Sequence, residues 1–258
     1  MFFPDRIRVC DDAFASALPE SSSRCLIVAR LFVPKPHQGT KLLLDADDCQ
    51  LVLVDYQSRL MPVMQDTALV LENAQRLAQF AAAFRVPLFG TEQAPDKLGE
   101  NPPGLRALCQ ETLAKQHFSA CASGLVALLR PPARMRPVPA QGQNQNQNQS
   151  QGGNARSLPK HLQKIPPAPP VPERNTIILA GCEAHVCLLQ TALELLDDEF
   201  EVWVVTDACS SRTERNRDAA FDRLASNGVE LVTTEMVAYE WLRTSRHEHF
   251  RKMQALIR

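Results

Sequence analysis

Short apolar runs alternate along this chain with longer stretches in which apolar residues recur every three or four positions. Cys49-Gln50-Leu51-Val52-Leu53-Val54 and Thr176-Ile177-Ile178-Leu179-Ala180 are near-continuous apolar runs, as expected of strands buried on both faces. Val86-Pro87-Leu88-Phe89-Gly90, Phe200 to Asp207 and Val229 to Thr233 read as three further strands. Between them lie helical patterns. Val70, Ala74, Leu77, Ala81 and Phe84 form one stripe, in a helix capped by Asp66 or Thr67. Val186, Leu189, Leu193 and Leu196 form another. Leu105 to Leu113, Ala122 to Leu129, Glu214 to Asn227 and Thr234 to Leu242 read as helices, with Asn227-Gly228 as a stop signal. Lys115 to Ser119 reads as a polar link. Strands alternating with helices over most of Leu42 to Leu242 predict a three-layer αβα sandwich with a mainly parallel, Rossmann-like central sheet.

The periodic pattern fails in two places. Residues 1–41 show little periodicity; Arg24 to Val33 could be one strand, ended by Pro34-Lys35-Pro36, and the segment is read as an appendage of uncertain order. From 131 to 172 the chain turns to Pro, Gln and Asn, nearly unbroken Gln/Asn between Gln141 and Gln151. Such a segment cannot bury enough apolar surface to offset its ordering entropy, so it predicts a disordered insertion or long surface loop within a domain spanning 42–242. Residues 243–258 are charged and read as a helical tail.

Composition narrows the function classes. The 258 residues carry a formal net charge of −1, so there is no basic surplus to bind a phosphate backbone, and nucleic acid is not an expected partner. No apolar run approaches the ~20 residues that span a bilayer, so no membrane partner is expected. The N-terminus carries Asp5, Asp11 and Asp12 without a continuous apolar core, unlike a secretory signal. The 8 cysteines are scattered, without C-x-x-C or zinc-finger spacing, which suits free thiols in a reducing, cytoplasmic setting. The glycine fingerprints G-x-G-x-x-G and G-x-x-x-x-G-K-[ST] are absent.

Candidate chemistry gathers where strands end, the edge at which open α/β sheets bind ligands. Asp55 follows the first strand, Lys115 lies in its link, and Cys187 lies at a helix start after the turn at Gly181. Singly, each has a structural reading: Asp55 as a cap, Lys115 as a solvated cation, Cys187 as a small buried apolar group. Together, Val52-Leu53-Val54-Asp55-Tyr56-Gln57, Lys115-x-x-Phe118-Ser119 and Gly181-Cys182-Glu183-Ala184-His185-Val186-Cys187 resemble the isochorismatase-like cysteine hydrolase family, over about Asp45 to Leu242. Thr91-Glu92-Gln93 and Leu42 to Asp48 are similar to its branch of small isochorismatase-domain hydrolases rather than to the nicotinamidases.

The resemblance implies a catalytic triad of Asp55, Lys115 and Cys187. Asp55 would exchange the thiol proton, and Lys115 and a helix N-terminus would favour the thiolate. It also implies a non-proline cis peptide at Cys182–Glu183, with the N–H groups of Glu183 and Cys187 as oxyanion donors. Relatives carry a small apolar residue at the place of Cys182, which is expected to pack rather than react. Gln57, Glu92, Gln93 and Phe118 are candidate substrate-pocket residues; His117 and His185 lie near the motifs. Nicotinamidases hold a metal through Asp-x-His and a further His; Thr91 to Leu98 contains no His, so neither metal nor other cofactor is expected. True isochorismatases cleave a vinyl ether without a cysteine, so Cys187 points away from that reaction. The expected activity is metal-independent hydrolysis of a small amide or related C–N bond, in a homo-oligomer. The alternative is a non-catalytic or redox-sensing member of the same fold serving as an assembly or binding module.

Overall fold

A computed structural model describes residues 42–131 and 174–257. The readings of 1–41 and of the insertion, Pro131 apart, lie outside the described residues. Five of the strands expected or implied by the pattern pair as β1 (Cys49–Val54), β2 (Leu88–Gln93), β4 (Thr176–Gly181), β5 (Glu201–Val205) and β6 (Glu230–Val232), with β3 (Glu111–Lys115) at one edge. The sheet runs β3-β2-β1-β4-β5-β6, and every pairing is parallel. Its order reverses between β1 and β4, and the crevice there is the usual ligand position of such a sheet.

The central strands earn their place by side-chain burial. Every residue of β1 and β4 is buried, so both faces must be covered. Helix α1 (Thr67–Phe84) presents Val70, Ala74, Leu77 and Ala81 inward as expected, with Phe80 and Ala78 beside them. Two short helices follow β2, α2 (Pro95–Leu98) and α3 (Pro103–Arg106), then α4 (Leu125–Leu129) after β3. After β4 come α5 (Leu189–Asp197) and, after β5, α6 (Glu214–Ser226); α7 (Thr234–Leu242) and α8 (Phe250–Ile257) close the described chain. α8 is the helix expected in the charged tail, and it docks through Met253, fully buried. No helix among the described residues is long and apolar enough to cross a membrane.

Several local expectations are corrected. The helix expected over Leu105 to Leu113 is only the turn α3, started by Pro103 at its first position; the chain then becomes strand β3. β3 is an edge strand, half exposed, with Leu113 its one large apolar residue, so it lacks the apolar run that marked the others. Lys115 therefore ends a strand rather than standing in a link. β2 starts later than expected and runs through Thr91, Glu92 and Gln93. The helix expected over Ala122 to Leu129 is divided at Gly124 into a 3-10 turn, Cys121–Ser123, and α4. Asp66 makes no side-chain cap on α1; the Thr67 hydroxyl instead donates to the carbonyls of Met61 and Met64 at 2.7 and 3.0 Å. The apolar face of α5 is also rotated. Leu188, Leu189, Thr191, Ala192 and Leu195 are buried, while Val186, Leu193 and Leu196 only pack at the margin. One π-helical turn, Ala184–Leu188, precedes α5; its wider turn shifts the register of a 3.6-residue stripe.

Candidate active site

Sheet order brings the separated motifs side by side. Reading across the carboxyl edge, β3 delivers Lys115, β2 delivers Thr91 and Gln93, β1 delivers Asp55, and β4 delivers the turn that leads to Cys187. Asp55 leaves β1 with φ +53°, a left-handed conformation in which Asp and Asn are the commonest residues after Gly. That bend turns its carboxylate back along the edge. Thr91 Oγ1 donates to Asp55 Oδ1 at 2.7 Å. Oδ2 lies 2.7 Å from Lys115 Nζ, and both side chains are fully withdrawn from solvent. A buried ion pair survives only when each charge is compensated, and here the compensation is reciprocal. Oδ2 has no aligned hydrogen-bond donor, and the Cys187 thiol is close enough to feel the charges of both Asp55 and Lys115.

The Lys115 ammonium is held by more than Asp55. It donates to Gln93 Oε1 at 2.8 Å and to the Phe118 carbonyl at 3.1 Å, with the His117 carbonyl at 3.4 Å. The loop that supplies those carbonyls is tied down in turn: Ser119 Oγ donates to Glu194 at 2.6 Å and Thr191 Oγ1 accepts from the Ala120 N–H at 3.0 Å, both partners on α5.

The turn after β4 begins with a close approach. Gly181 has φ +151°, and a Cβ there would stand 2.1 Å from the Val54 carbonyl oxygen; only glycine fits. The Cys182–Glu183 peptide is cis. The turn is stitched to the loop after β5. Cys182 and Ser210 form a parallel bridge, the Ala184 N–H donates to the Ser210 carbonyl at 2.8 Å, and His185 Nδ1 lies 3.0 Å from Ser211 Oγ. The Glu183 carboxylate accepts from the Arg212 amide at 3.2 Å and from Arg212 Nε at 2.9 Å. The N–H groups of Cys182, Ala184, Val186 and Leu188 are all bonded to carbonyls. Those of Glu183 and Cys187 have no acceptor outside the turn among the described residues.

Burial works against the pull expected of Lys115. Cys187 is 6% exposed, and burial, joined by the negative charge of Asp55, pushes its thiol up to about 12 against the opposing pull of Lys115. It lies inside a π-helical turn, Ala184–Leu188, rather than on the first amides of an α-helix. A thiol pushed up this far favours the protonated form at neutral pH, while Lys115 pulls in the expected direction, toward the thiolate. Cys182 packs as expected: it is fully buried, and burial holds its thiol well above the ordinary range.

The four residues expected to line a pocket divide differently. Gln57 is fully buried; its Nε2 donates to the Gln93 and Gly99 carbonyls and its Oε1 accepts from the Gln93 N–H at 2.8 Å. Glu92 accepts from the Asn101 N–H at 2.8 Å and lies 3.5 Å from Arg106 Nε. Gln93 bonds Lys115. Phe118 contributes its carbonyl, while its ring is 54% exposed. Thr91 was quoted within a motif but given no role, and Ser210, Ser211 and Arg212 were not singled out from the sequence; the available signal was their place immediately at or beyond strand ends. Among the described residues, no three His, Cys, Asp or Glu side chains are grouped as a metal ion would require.

The chain has relatives in sequence and in fold. The isochorismatase domain model matches residues 171–236. Isochorismatase domain-containing protein 2 of Rattus norvegicus is 29% identical over 208 residues, covering 81% of this chain and 80% of the relative. Among solved structures, the MAR1 ribonuclease of Caenorhabditis elegans superposes with a TM-score of 0.64 at 25% identity, over 83% of this chain and 92% of that one. The YcaC gene product of Escherichia coli, described as an octameric hydrolase of unknown specificity, superposes with a TM-score of 0.63 at 22% identity, over 85% and 96%.

Proposed function

Since this chain is a member of the isochorismatase-like family, whose members are typically hydrolases, we propose that it is a cysteine hydrolase of a small amide or related C–N compound. Cys187 is the nucleophile, Asp55 the proton carrier and Lys115 a fixed cation. The observation that carries this reading is the 2.7 Å contact between Lys115 Nζ and Asp55 Oδ2 at zero exposure, beside the Cys187 thiol. A pair so deeply buried contributes little to net stability, and its placement at the ligand-binding edge of the sheet has a direct chemical use.

The raised thiol dictates the order of events. Because Cys187 rests protonated, its proton must leave as the sulfur attacks; Asp55 Oδ2, beside Lys115 Nζ but without an aligned hydrogen bond, is the acceptor. The carbonyl oxygen takes the negative charge of the tetrahedral adduct, and the Glu183 and Cys187 N–H groups are suited to receive it. Collapse breaks the C–N bond, with the proton passing from Asp55 to the departing nitrogen, and leaves a thioester on Cys187. A water molecule then gives a proton to Asp55 as its oxygen attacks the thioester carbon. Return of that proton to sulfur releases the acid and restores the thiol. Lys115, its protons already engaged, acts by its charge, offsetting the negative charge that passes through the thiolate and Asp55.

The redox-sensing alternative needs a low-pKa thiol, and a thiol raised to about 12 speaks against it. The non-catalytic alternative leaves the buried Asp55–Lys115 pair without a role. The octameric E. coli neighbour supports the reading that this chain also works as a homo-oligomer. The name of the C. elegans neighbour raises RNA as a substrate, but a net charge of −1 gives no surplus for a phosphate backbone. The test is a screen of small amides and carbamoyl compounds, with RNA as a control, on the wild type and Cys187→Ala. We expect turnover of a C–N compound with the wild type only. Turnover that survives Cys187→Ala would sink the assignment.

A further inference from the structure

We infer that Gln93, seated on Gln57, is a positioning residue that fixes the Lys115 ammonium against Asp55, and so sets the readiness of the Cys187 thiol to react. This rests on the cysteine-hydrolase reading above and adds a component that the three-residue triad lacks.

The geometry is a chain of bonds across the three adjoining strand ends, part-buried at Gln57 and Lys115 and exposed at Gln116. Gln57 Oε1 accepts from the Gln93 N–H at 2.8 Å, and Gln57 Nε2 donates to the Gln93 carbonyl at 3.0 Å, so one side-chain amide grips both backbone groups of the residue. Gln93 Nε2 donates to the Gln116 carbonyl at 2.8 Å, which leaves its Oε1 facing Lys115 Nζ at 2.8 Å. Were the amide reversed, it would point its NH2 at an ammonium and its oxygen at a carbonyl, losing two bonds at once. The orientation is therefore forced. With the Phe118 carbonyl taking another proton, the ammonium is held on the side of Asp55 Oδ2. On the opposite flank, Thr91 Oγ1 occupies Asp55 Oδ1, so the carboxylate cannot turn its other oxygen toward the thiol without giving up that bond. A lysine side chain is flexible, and a point charge loses its grip on a neighbour as it moves away. What Gln93 supplies is the distance, not the charge.

An effect of this kind is seen in reactivity against pH, which a bond that only holds the fold together would leave unchanged. The Lys115 charge favours the thiolate of Cys187; a less firmly placed charge favours it less. The experiment follows the rate of Cys187 alkylation by iodoacetamide from pH 6 to pH 9, where the fold is intact, in the full-length protein, read by peptide mass spectrometry. Gln93→Met removes the acceptor at similar volume. Gln93→Glu keeps an acceptor but sets a second carboxylate on the ammonium. Both are expected to move the alkylation profile to higher pH and to slow labelling at pH 7.5 by about three- to tenfold. Lys115→Met is expected to move it further. Asn73→Ala, which deletes a part-buried bond to the Asp207 carbonyl away from the triad, is expected to leave the profile in place. If Lys115→Met shifts the profile while folded Gln93→Met and Gln93→Glu do not, the positioning role is wrong and the triad stands. If Lys115→Met also leaves it unmoved, the failure lies in the triad reading itself. Should Gln93→Met not fold, Gln93→Ala, which also removes the acceptor without adding charge, decides in its place.

Discussion

At the scale of single residues, the Asp55–Lys115 pair makes an energetic claim apart from catalysis. Neither side chain touches solvent, and each is the other's charge partner at 2.7 Å. Deleting one partner of such a pair leaves an uncompensated buried charge, a loss of about 3–5 kcal/mol, whereas deleting both removes the charges and their desolvation together. Asp55→Asn also retains a residue suited to φ +53°. We therefore expect Lys115→Met alone to lower the unfolding free energy by about 3 kcal/mol, and the Asp55→Asn/Lys115→Met double variant to lose less than the sum of the two singles. Urea unfolding curves of the four proteins test this. Strict additivity would show that the two groups are not coupled in the way the structure has them. Both variants should be inactive, so stability and activity part company in the double variant.

At the scale of elements, the turn after β4 depends on one backbone position. Gly181 pairs with Val54 across the β1–β4 junction, and a methyl group there would lie 2.1 Å from the Val54 oxygen. Gly181→Ala must push the two central strands apart where Asp55 and the nucleophile turn both begin. We expect a loss of order 3 kcal/mol in stability from overpacking and a disfavoured φ, with slower Cys187 alkylation in whatever remains folded. A variant as stable and as reactive as the wild type would contradict the close approach. This corner was legible in the sequence because β1 and β4 are near-continuous apolar runs and Gly181 ends the second; Asp55, Lys115 and Cys187 were legible through their motifs. β3 was not, because an edge strand has one neighbour and half-exposed residues, and its pairing with β2 leaves no local pattern. The face of α5 was misplaced by a π-helical turn, which no 3.6-residue count anticipates. Thr91 and Gln93 stood in a quoted motif, and Gln93 was expected to line the pocket, but their bonds to Asp55 and Lys115 were hidden for a different reason. Their roles depend on which strands stand beside β2, and that is a property of the sheet order rather than of any segment.

At the scale of the whole molecule, the same burial that keeps Cys187 neutral acts on other thiols, and the sum is a prediction about pH. Cys49, Cys187 and Cys209 are all buried, and burial pushes each thiol up to about 12 in the folded chain. In the unfolded chain the same groups ionise near 9, the ordinary value. Below pH 9 both states hold these protons, so the thiols leave stability unchanged with pH. Between about 9 and 12 the unfolded state releases protons that the folded state keeps, so unfolding is favoured progressively as pH rises. At pH 10 each thiol lowers stability by about 1.4 kcal/mol relative to neutral pH. Three together are a substantial part of the ~5–15 kcal/mol that holds a typical domain. Urea midpoints measured at pH 7.5 and pH 10 should fall accordingly, and Cys49→Ala, which removes one such group, should show a smaller fall than the wild type. A midpoint that holds steady to pH 10 would mean that these thiols are hydrated in the folded state. The core around β1 and β4 would then be looser than its packing implies, and the neutral resting state of Cys187, on which the order of proton transfer depends, would lose its physical basis.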